Sequence, residues 1–311
     1  GAVTDRETFR FLEGAIDHLL ALTGTQRPSV VAHDAHPSFR TTEYAADRTA
    51  DRTVAVQHHH AHAASVLMEH DCPRAVCITA DGVGYGPDGT VWGGEVLDAT
   101  LTDADRVAGL APVPMPGGDR ATEFPVRSLV GLLYDREGVD IQALVDALDW
   151  SPPNADEPRV IEQQLEADVN TPVTTSAGRF LDAVAALADI CHERTYEGEP
   201  AMRLEAAATD GTPRDVTVPY TTADGRPVVD TPRVAELLVE LRRDGTHATD
   251  VAATAQRFLA DGLADLAVDA AAERGIDAVG FTGGVAYNDA ISRRIRQRGR
   301  AAGLAYLANE A

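Results

Sequence analysis

The sequence contains no lysine: all 27 strong bases are arginines, set against 49 acidic residues for a formal net charge of −22. That balance argues against a broad nucleic-acid surface, which needs clustered basic residues. It fits a cytosolic protein of a salt-loving organism, whose dense carboxylates keep the surface hydrated and self-repelling where salt screens the charge. Cysteine is scarce as well. Cys72, Cys77 and Cys191 form no CxxC pair and no even framework, so a disulfide scaffold is excluded and a reduced cytoplasm is the expected home. There is no apolar run of eighteen residues, and the opening residues carry no basic, apolar leader pattern; a soluble protein without a visible export signal is expected. Also missing are a GxGxxG, a P-loop, a nucleophile elbow and a Ser-His-Asp order.

What is present centres on VAVQHHHAHAASVLM, Val54 to Met68. Val54 and Val56 read as the end of a strand, and from Gln57 the alanine-rich residues suit a helix. His58 and His62 are four apart, so their rings share a face, where two neutral imidazoles can bind one transition metal. The alternative is a solvated, histidine-rich helix start. His59 and His60 point elsewhere on the helix and are poorer ligands.

The 311 residues suffice for a large core and two lobes. Helices are expected over Thr8–Leu22 and Thr41–Ala46, with a strand at Ser29–Ala32 running into His33-Asp34. Ala75–Ala80 is the strongest strand, stopped by Asp81-Gly82, and Gly84, Gly86 and a Pro87-Asp88-Gly89 turn lead into a second strand, Thr90–Leu97. Asp81 at a strand end is the usual place for a functional carboxylate, or else an ordinary Asp-Gly turn. PVPMPGG, Pro112–Gly118, breaks the pattern and divides a lobe of residues 1–122 from one of residues 123–311. Beyond it, helices are expected at Ser128–Tyr134, Ile141–Leu148, Arg159–Asp168, Ala177–Ile190, Val234–Arg243 and Ala252–Arg274. Strand-like pieces fall within Thr217–Val229. In GFTGGVAYN, a strand (Ala278–Thr282), the Gly283-Gly284 turn and a helix (Ala286–Arg298) follow one another, and N–H groups at such a helix start can hold an anion. The chain closes on strand-like Leu304–Leu307. Asp182 and Glu199 offer acceptors for a ribose, or are a helix-surface carboxylate and part of an acidic loop. The mixture is an α/β protein with mixed sheets flanked by helices.

QHHHAHAAS, TADGVGYGPDGTVWGGEVL, MPGGDRA, TSAGRFLDAVAAL, TYEGEPAMRLEAAA and GFTGGVAYN occur in this order, after DAHPSFRTTEYA. Together they resemble the carboxy-terminal transferase domain of the HypF-type carbamoyltransferases of [NiFe]-hydrogenase maturation, over nearly all of the chain. The resemblance implies a two-lobed, actin-like ATPase fold with RNase H-like lobes and an ATP-type nucleotide between them. It implies transfer of the carbamoyl group of a carbamoyl-adenylate to the carboxy-terminal cysteine of a partner, HypE, with the upstream modules in the same or separate chains. By the same resemblance His58, His62 and Asp81 hold one divalent metal (iron, zinc or manganese), and Asp81 also meets the phosphates. Asp182, Glu199 and Asn288 surround ribose and base, and Gly283 and Gly284 form the turn beside the nucleotide. YEGE, Tyr196 to Glu199, favours this family over the related tRNA threonylcarbamoyl transferases, which typically carry a second glycine at Glu199. Other readings are a related transferase with another acceptor, or a nucleotide- and partner-binding form without turnover. Two departures accompany the match: Glu123-Phe124-Pro125 replaces the family's Arg-Glu-Pro, and the family's terminal Asp-Gly-Gly segment, whose aspartate completes the metal site, is expected to be missing, making the chain a poor catalyst.

The charge excess carries its own test. As ionic strength falls from molar to millimolar, unscreened repulsion should lower the melting temperature. A melting temperature that stays constant or rises would contradict the halophilic reading.

Overall fold

The computed structural model describes residue 3 and residues 5–137, 139–215 and 217–309. The chain begins with α1 (Arg6–Leu22), β1 (Val30–Asp34), α2 (Arg40–Asp47) and β2 (Arg52–Val56). Asp5 caps α1 by accepting from the N–H groups of Glu7 and Thr8. β1 and β2 form a small parallel sheet of their own, with Asp34 level with Val56. The histidine helix α3 (His58–Glu69) follows at once, capped by the Gln57 side chain, which accepts from the N–H of His60. It packs on β3 (Arg74–Tyr85), β4 (Val91–Thr100) and the later strand Ala278–Thr282.

A second, nine-stranded sheet makes up the rest of the framework. β3, β4 and β5 (Ala104–Leu110) are antiparallel neighbours. After β6 (Val113–Pro114) come α4 (Asp119–Glu123), α5 (Pro125–Leu133), α6 (Ile141–Asp146), α7 (Glu157–Ala167), β7 (Val173–Thr174), α8 (Ala177–Leu187) and α9 (Glu199–Ala208). The chain then re-enters the sheet through the hairpin β8 (Tyr220–Ala223) and β9 (Arg226–Val229), which joins β5. α10 (Thr231–Arg243) and the 27-residue α11 (Ala248–Arg274) lead to β10 (Ala278–Thr282), a 3-10 turn (Gly284–Tyr287), α12 (Asp289–Ala301) and β11 (Ala305–Leu307). β10 runs parallel to both β11 and β3. α11 is the central helix: its alanines let α8, α9, α10 and α12 come close, and most of its residues are buried. Among the described residues no helix is long and apolar enough to cross a membrane.

Several expectations need correction. Strand pairing continues across the expected 122/123 division, because β8 to β11 share the sheet with β3 to β5. β3 does not stop at Asp81. It runs on to Tyr85 through a bulge, since Ala80 pairs with Gly94 and the next pair is Gly84 with Trp92. A bulge of this kind re-aims the side chains it carries, here that of Asp81. β5 was not expected, because its polar Asp105 and Arg106 and its Gly109 hide the strand pattern. The helix expected from Ala286 starts at Asp289, because the Asn288 side chain caps it by accepting from the Ile291 N–H at 3.0 Å. The alternative reading of Glu199 as part of an acidic loop gives way too, since it opens α9, where Pro200 suits the first turn.

The PVPMPGG break is held by a buried arginine. Arg127 donates to Glu157 Oε1 from Nε (2.8 Å) and Nη2 (2.5 Å), and from Nη1 to Pro116 O (3.1 Å) and Gln164 Oε1 (2.8 Å). Both side chains are almost wholly buried. Burial would raise the Glu157 carboxyl, but Arg127, with Asn154, outweighs it and holds the group below its ordinary value. Its stabilisation is therefore present above the unfolded carboxyl range and lost as pH falls through the lowered folded value, beneath the ordinary glutamate range. At neutral pH, Glu157→Ala should cost about 3–5 kcal/mol in urea unfolding by stranding the guanidinium. A loss under about 1 kcal/mol would show that Arg127 finds other partners.

Candidate functional site

The bulge in β3 and the first turn of α3 bring three ligand atoms together. His58, His62 and Asp81 each offer one, all within 4.8 Å of one another. Asp81 Oδ2 lies 3.2 Å from His62 Nε2 and 3.5 Å from His58 Nε2. The helix comes this close because residue 84 is glycine: a Cβ there would stand 2.3 Å from His59 Cε1 and 2.8 Å from His58 Cδ2. The expectation for the neighbouring histidines agrees with the geometry. His59 is fully buried beside Trp92 and Glu95, and burial pushes its imidazole down to about 3, so it stays neutral. His60 meets Thr100 O at 2.9 Å.

The electrostatics suit a positive charge among these three groups, a proton or a metal ion. Burial opposes ionisation of Asp81, yet the two histidines and the Gly82 N–H hold its carboxyl well below the ordinary range, so it is an anion. The His58 imidazole is raised, chiefly by the Asp81 carboxylate and then, against burial, by Asp34. Its Nε2 is buried and has no hydrogen-bond partner. A lone pair facing a carboxylate at 3.5 Å is unfavourable unless a proton or metal ion lies between them. Two imidazole nitrogens and one carboxylate, with coordination positions left over, fit a first-row divalent ion. His58, His62 and Asp81 would hold it.

The glycine turn adjoins this group. Gly283 has φ +97, and a Cβ there would stand 2.3 Å from Ala80 O, so only glycine fits against β3. A Cβ on Gly284 would come 3.0 Å from Asp81 Oδ1, which puts the turn at the edge of the His58–His62–Asp81 cluster. From the other side α8 closes on the bulge. A Cβ on Gly178 would lie 2.7 Å from Gly82 Cα, and the α8 cap Ser176 donates to the carbonyls of Asp81 (2.8 Å) or Gly82 (2.7 Å). One turn further along, Asp182 is 2% exposed and paired with Arg179 Nη2 at 2.9 Å. Burial raises its carboxyl, whose Oδ2 is the atom that meets Arg179 Nη2, while Nε and Nη1 of Arg179 have no hydrogen-bond partner. Unpartnered, buried guanidinium N–H groups beside a buried carboxylate suit the phosphate and hydroxyls of a nucleotide.

The remaining two candidates also do local work. Asn288 caps α12, and Glu199 Oε2 accepts from the N–H (2.5 Å) and hydroxyl (2.8 Å) of Thr195, the first of which holds its carboxyl below the ordinary value. The sequence reading did not single out Asp34, Arg179 or Glu95. Asp34 Oδ2 lies 3.0 Å from His58 Nδ1. Glu95 is wholly buried under the site, accepting from the N–H groups of Gly93 and Gly94 and from Thr175, with burial pushing it up to about 7. Asp34 at a strand end and Arg179 inside TSAGRF carried usable signals; an acidic residue inside a strand, such as Glu95, carried none.

With this geometry in view, comparison with known proteins is informative. The sequence profile of the HypF Kae1-like domain matches residues 1–69, and that of the carbamoyltransferase Kae1-like domain, second subdomain, matches residues 77–311. The probable carbamoyltransferase HypF of Methanocaldococcus jannaschii is 35% identical over 311 residues, covering 99% of this chain and 40% of the relative. Carbamoyltransferase HypF of Rhodobacter capsulatus is 39% identical over 295 residues, 92% of this chain and 37% of the relative. Among solved structures, full-length HypF in its phosphate- and nucleotide-bound form superposes with a TM-score of 0.90 at 30% identity, over 99% of this chain and 40% of that one. HypF of T. kodakarensis gives 0.87 at 33%, over 99% and 41%. The fold is thus the mixed α/β, actin-like ATPase fold of these relatives, and the chain spans about two fifths of their length. On sequence and structure alike, the chain belongs to the HypF carbamoyltransferase family.

Proposed function

We propose that this chain carries out the carbamoyl-transfer step: the carbamoyl group of a carbamoyl-adenylate passes to the thiolate of the carboxy-terminal cysteine of HypE. The observation that carries the reading is the meeting of the His58–His62–Asp81 cluster with the Gly283-Gly284 turn, across 3.0 Å from Asp81 Oδ1 to a Cβ position on Gly284. In this reading the partner's sulfur bonds to the carbamoyl carbon. The bond from that carbon to the phosphate oxygen breaks, and AMP leaves with the electron pair. A bound divalent ion supplies Lewis-acid neutralisation of charge on the phosphate. Arg179 faces the same anion with its unpaired N–H groups, and Asp182 accepts from the ribose. Two of the chain's three thiols are poorly suited to attack, which agrees with a nucleophile from a partner: Cys77 is buried with its thiol pushed up to about 12, and burial also raises Cys191. Upstream modules that make the adenylate are assigned to other sequence, in the same or separate chains.

Metal content tests the first half of this reading. His58→Ala and His62→Ala should each weaken zinc or manganese binding by more than the roughly 10–100-fold typical of losing an outer-shell partner. Equal occupancy in wild type and both variants would remove the histidines from the site.

The second half is tested by supplying carbamoyl-adenylate and HypE and following thiocarbamate formation by mass spectrometry. Transfer should occur with wild type and fall at least about 100-fold in Asp81→Asn, which loses the carboxylate's charge at the ion. Calorimetry with AMP should show Gly284→Val binding about tenfold or more weakly while circular dichroism is unchanged, because the new side chain meets Asp81. AMP binding without transfer would leave a nucleotide-binding form. Transfer to a different acceptor would point to a related transferase.

A further inference from the structure

The small β1–β2 sheet reaches the candidate ion site through one carboxylate. Asp34 ends β1, and its register partner Val56 ends β2, just before the Gln57 cap and His58. Strand pairing therefore sets the Asp34 carboxylate level with the first residue of α3. Both oxygens of that carboxylate are engaged. Oδ1 accepts from the His36 N–H at 2.8 Å, and Oδ2 lies 3.0 Å from His58 Nδ1. The backbone around it is tied as well, because Thr42 Oγ1 donates to the Asp34 carbonyl at 3.3 Å or to that of His36 at 2.8 Å.

An ionised carboxylate only accepts hydrogen bonds, so the Nδ1 it meets carries the proton. In a neutral imidazole the other nitrogen is then a bare lone pair, and in His58 that is the buried, partnerless Nε2 beside Asp81. We propose that Asp34 is a positioning residue that holds His58 with its proton on Nδ1 and its Nε2 lone pair on the ion, so that ion binding also fixes the β1–β2 sheet against the large sheet. This inference rests on the ion site proposed above. Carboxylate–histidine–metal pairings of this kind fix both ring orientation and tautomer. The sheet-to-sheet consequence follows from the origin of the groups. Asp34 comes from the small sheet, Asp81 from the large one, and His58 and His62 from the helix between them. Two further contacts cross at the same place: Gln57 Nε2 donates to Tyr85 O at 3.0 Å, and the His36 ring meets the Tyr85 ring edge-on at 5.1 Å.

The first measurement needs no variant. In zinc-loaded protein with 15N-labelled histidine, long-range proton–nitrogen correlation should show the His58 proton on Nδ1, leaving Nε2 to the ion. A His58 protonated at Nε2 would overturn the proposal. The second measurement is zinc affinity, by competition with a fluorescent chelator, for wild type, Asp34→Ala and the near-isosteric Asp34→Asn. Both variants should bind zinc roughly 10–100-fold more weakly, with the circular dichroism of the metal-free protein unchanged. Zinc should also slow amide exchange across the β1–β2 ladder, Val30 to Val56, in wild type but not in Asp34→Asn. If wild type binds zinc and Asp34→Asn binds within twofold of it, the positioning role falls while the ion site stands. If wild type does not bind zinc, the ion site falls and this proposal with it, whatever the tautomer.

Discussion

One half-buried anion, Asp81, organises the site. Asp81 sits where β3 bulges away from β4, with two histidine nitrogens within 3.5 Å of one of its oxygens and a glycine turn against the other. Its charge is favourable only while positive partners surround it, because burial by itself works against ionisation. Much of the local architecture can be read as arranging those partners. Gly84 lets the histidine helix close on the strand, Gly284 brings the 3-10 turn to the rim, and Ser176 holds the bulge carbonyls to α8. Removing the anion would leave a set of close approaches with nothing to converge on.

The layers beneath it are graded in polarity. Directly under the cluster, His59 and Glu95 are wholly buried, and burial drives the first toward its neutral form and raises the second. Glu95 is not wasted, because it satisfies two consecutive backbone N–H groups and the Thr175 hydroxyl at the root of α8. Deeper still, the contacts are apolar, from Val76 and Ile78 on β3 to the alanine face of α11. A site resting on such a floor has little room to relax, and under the proposed function that preorganisation would stabilise a departing phosphate.

Much of this was legible before any coordinates. The helical spacing of His58 and His62, the strand leading to Asp81 and the strand–glycine–glycine–helix order at Gly280 to Asn288 are local patterns, and local patterns are what periodicity reports. What sequence reasoning missed depends on pairing between distant segments. The bulge that extends β3 past Asp81 exists only against β4, and β5 is a strand because β4 and β9 flank it. Asp34 is 24 residues from His58 in sequence, and parallel pairing with β2 is what brings the two together. The division near residue 122 marked a real break in the chain, yet the strands beyond it return to the same sheet. Asn288 and Glu199 were assigned to a ligand by family likeness, while their caps and loop bonds show the structural work the same side chains perform.

The central claim is that a divalent ion belongs on His58, His62 and Asp81, at the edge of the Gly283-Gly284 turn. Anomalous diffraction from crystals soaked with zinc and AMP tests it most directly. The expected result is a single strong anomalous peak about 2.0–2.2 Å from the Nε2 atoms of both histidines and from Asp81 Oδ2, the ordinary zinc–ligand range. The nucleotide phosphate should approach the same peak from the glycine turn. A strong peak elsewhere, or no peak at this cluster while AMP is bound, would contradict the assignment.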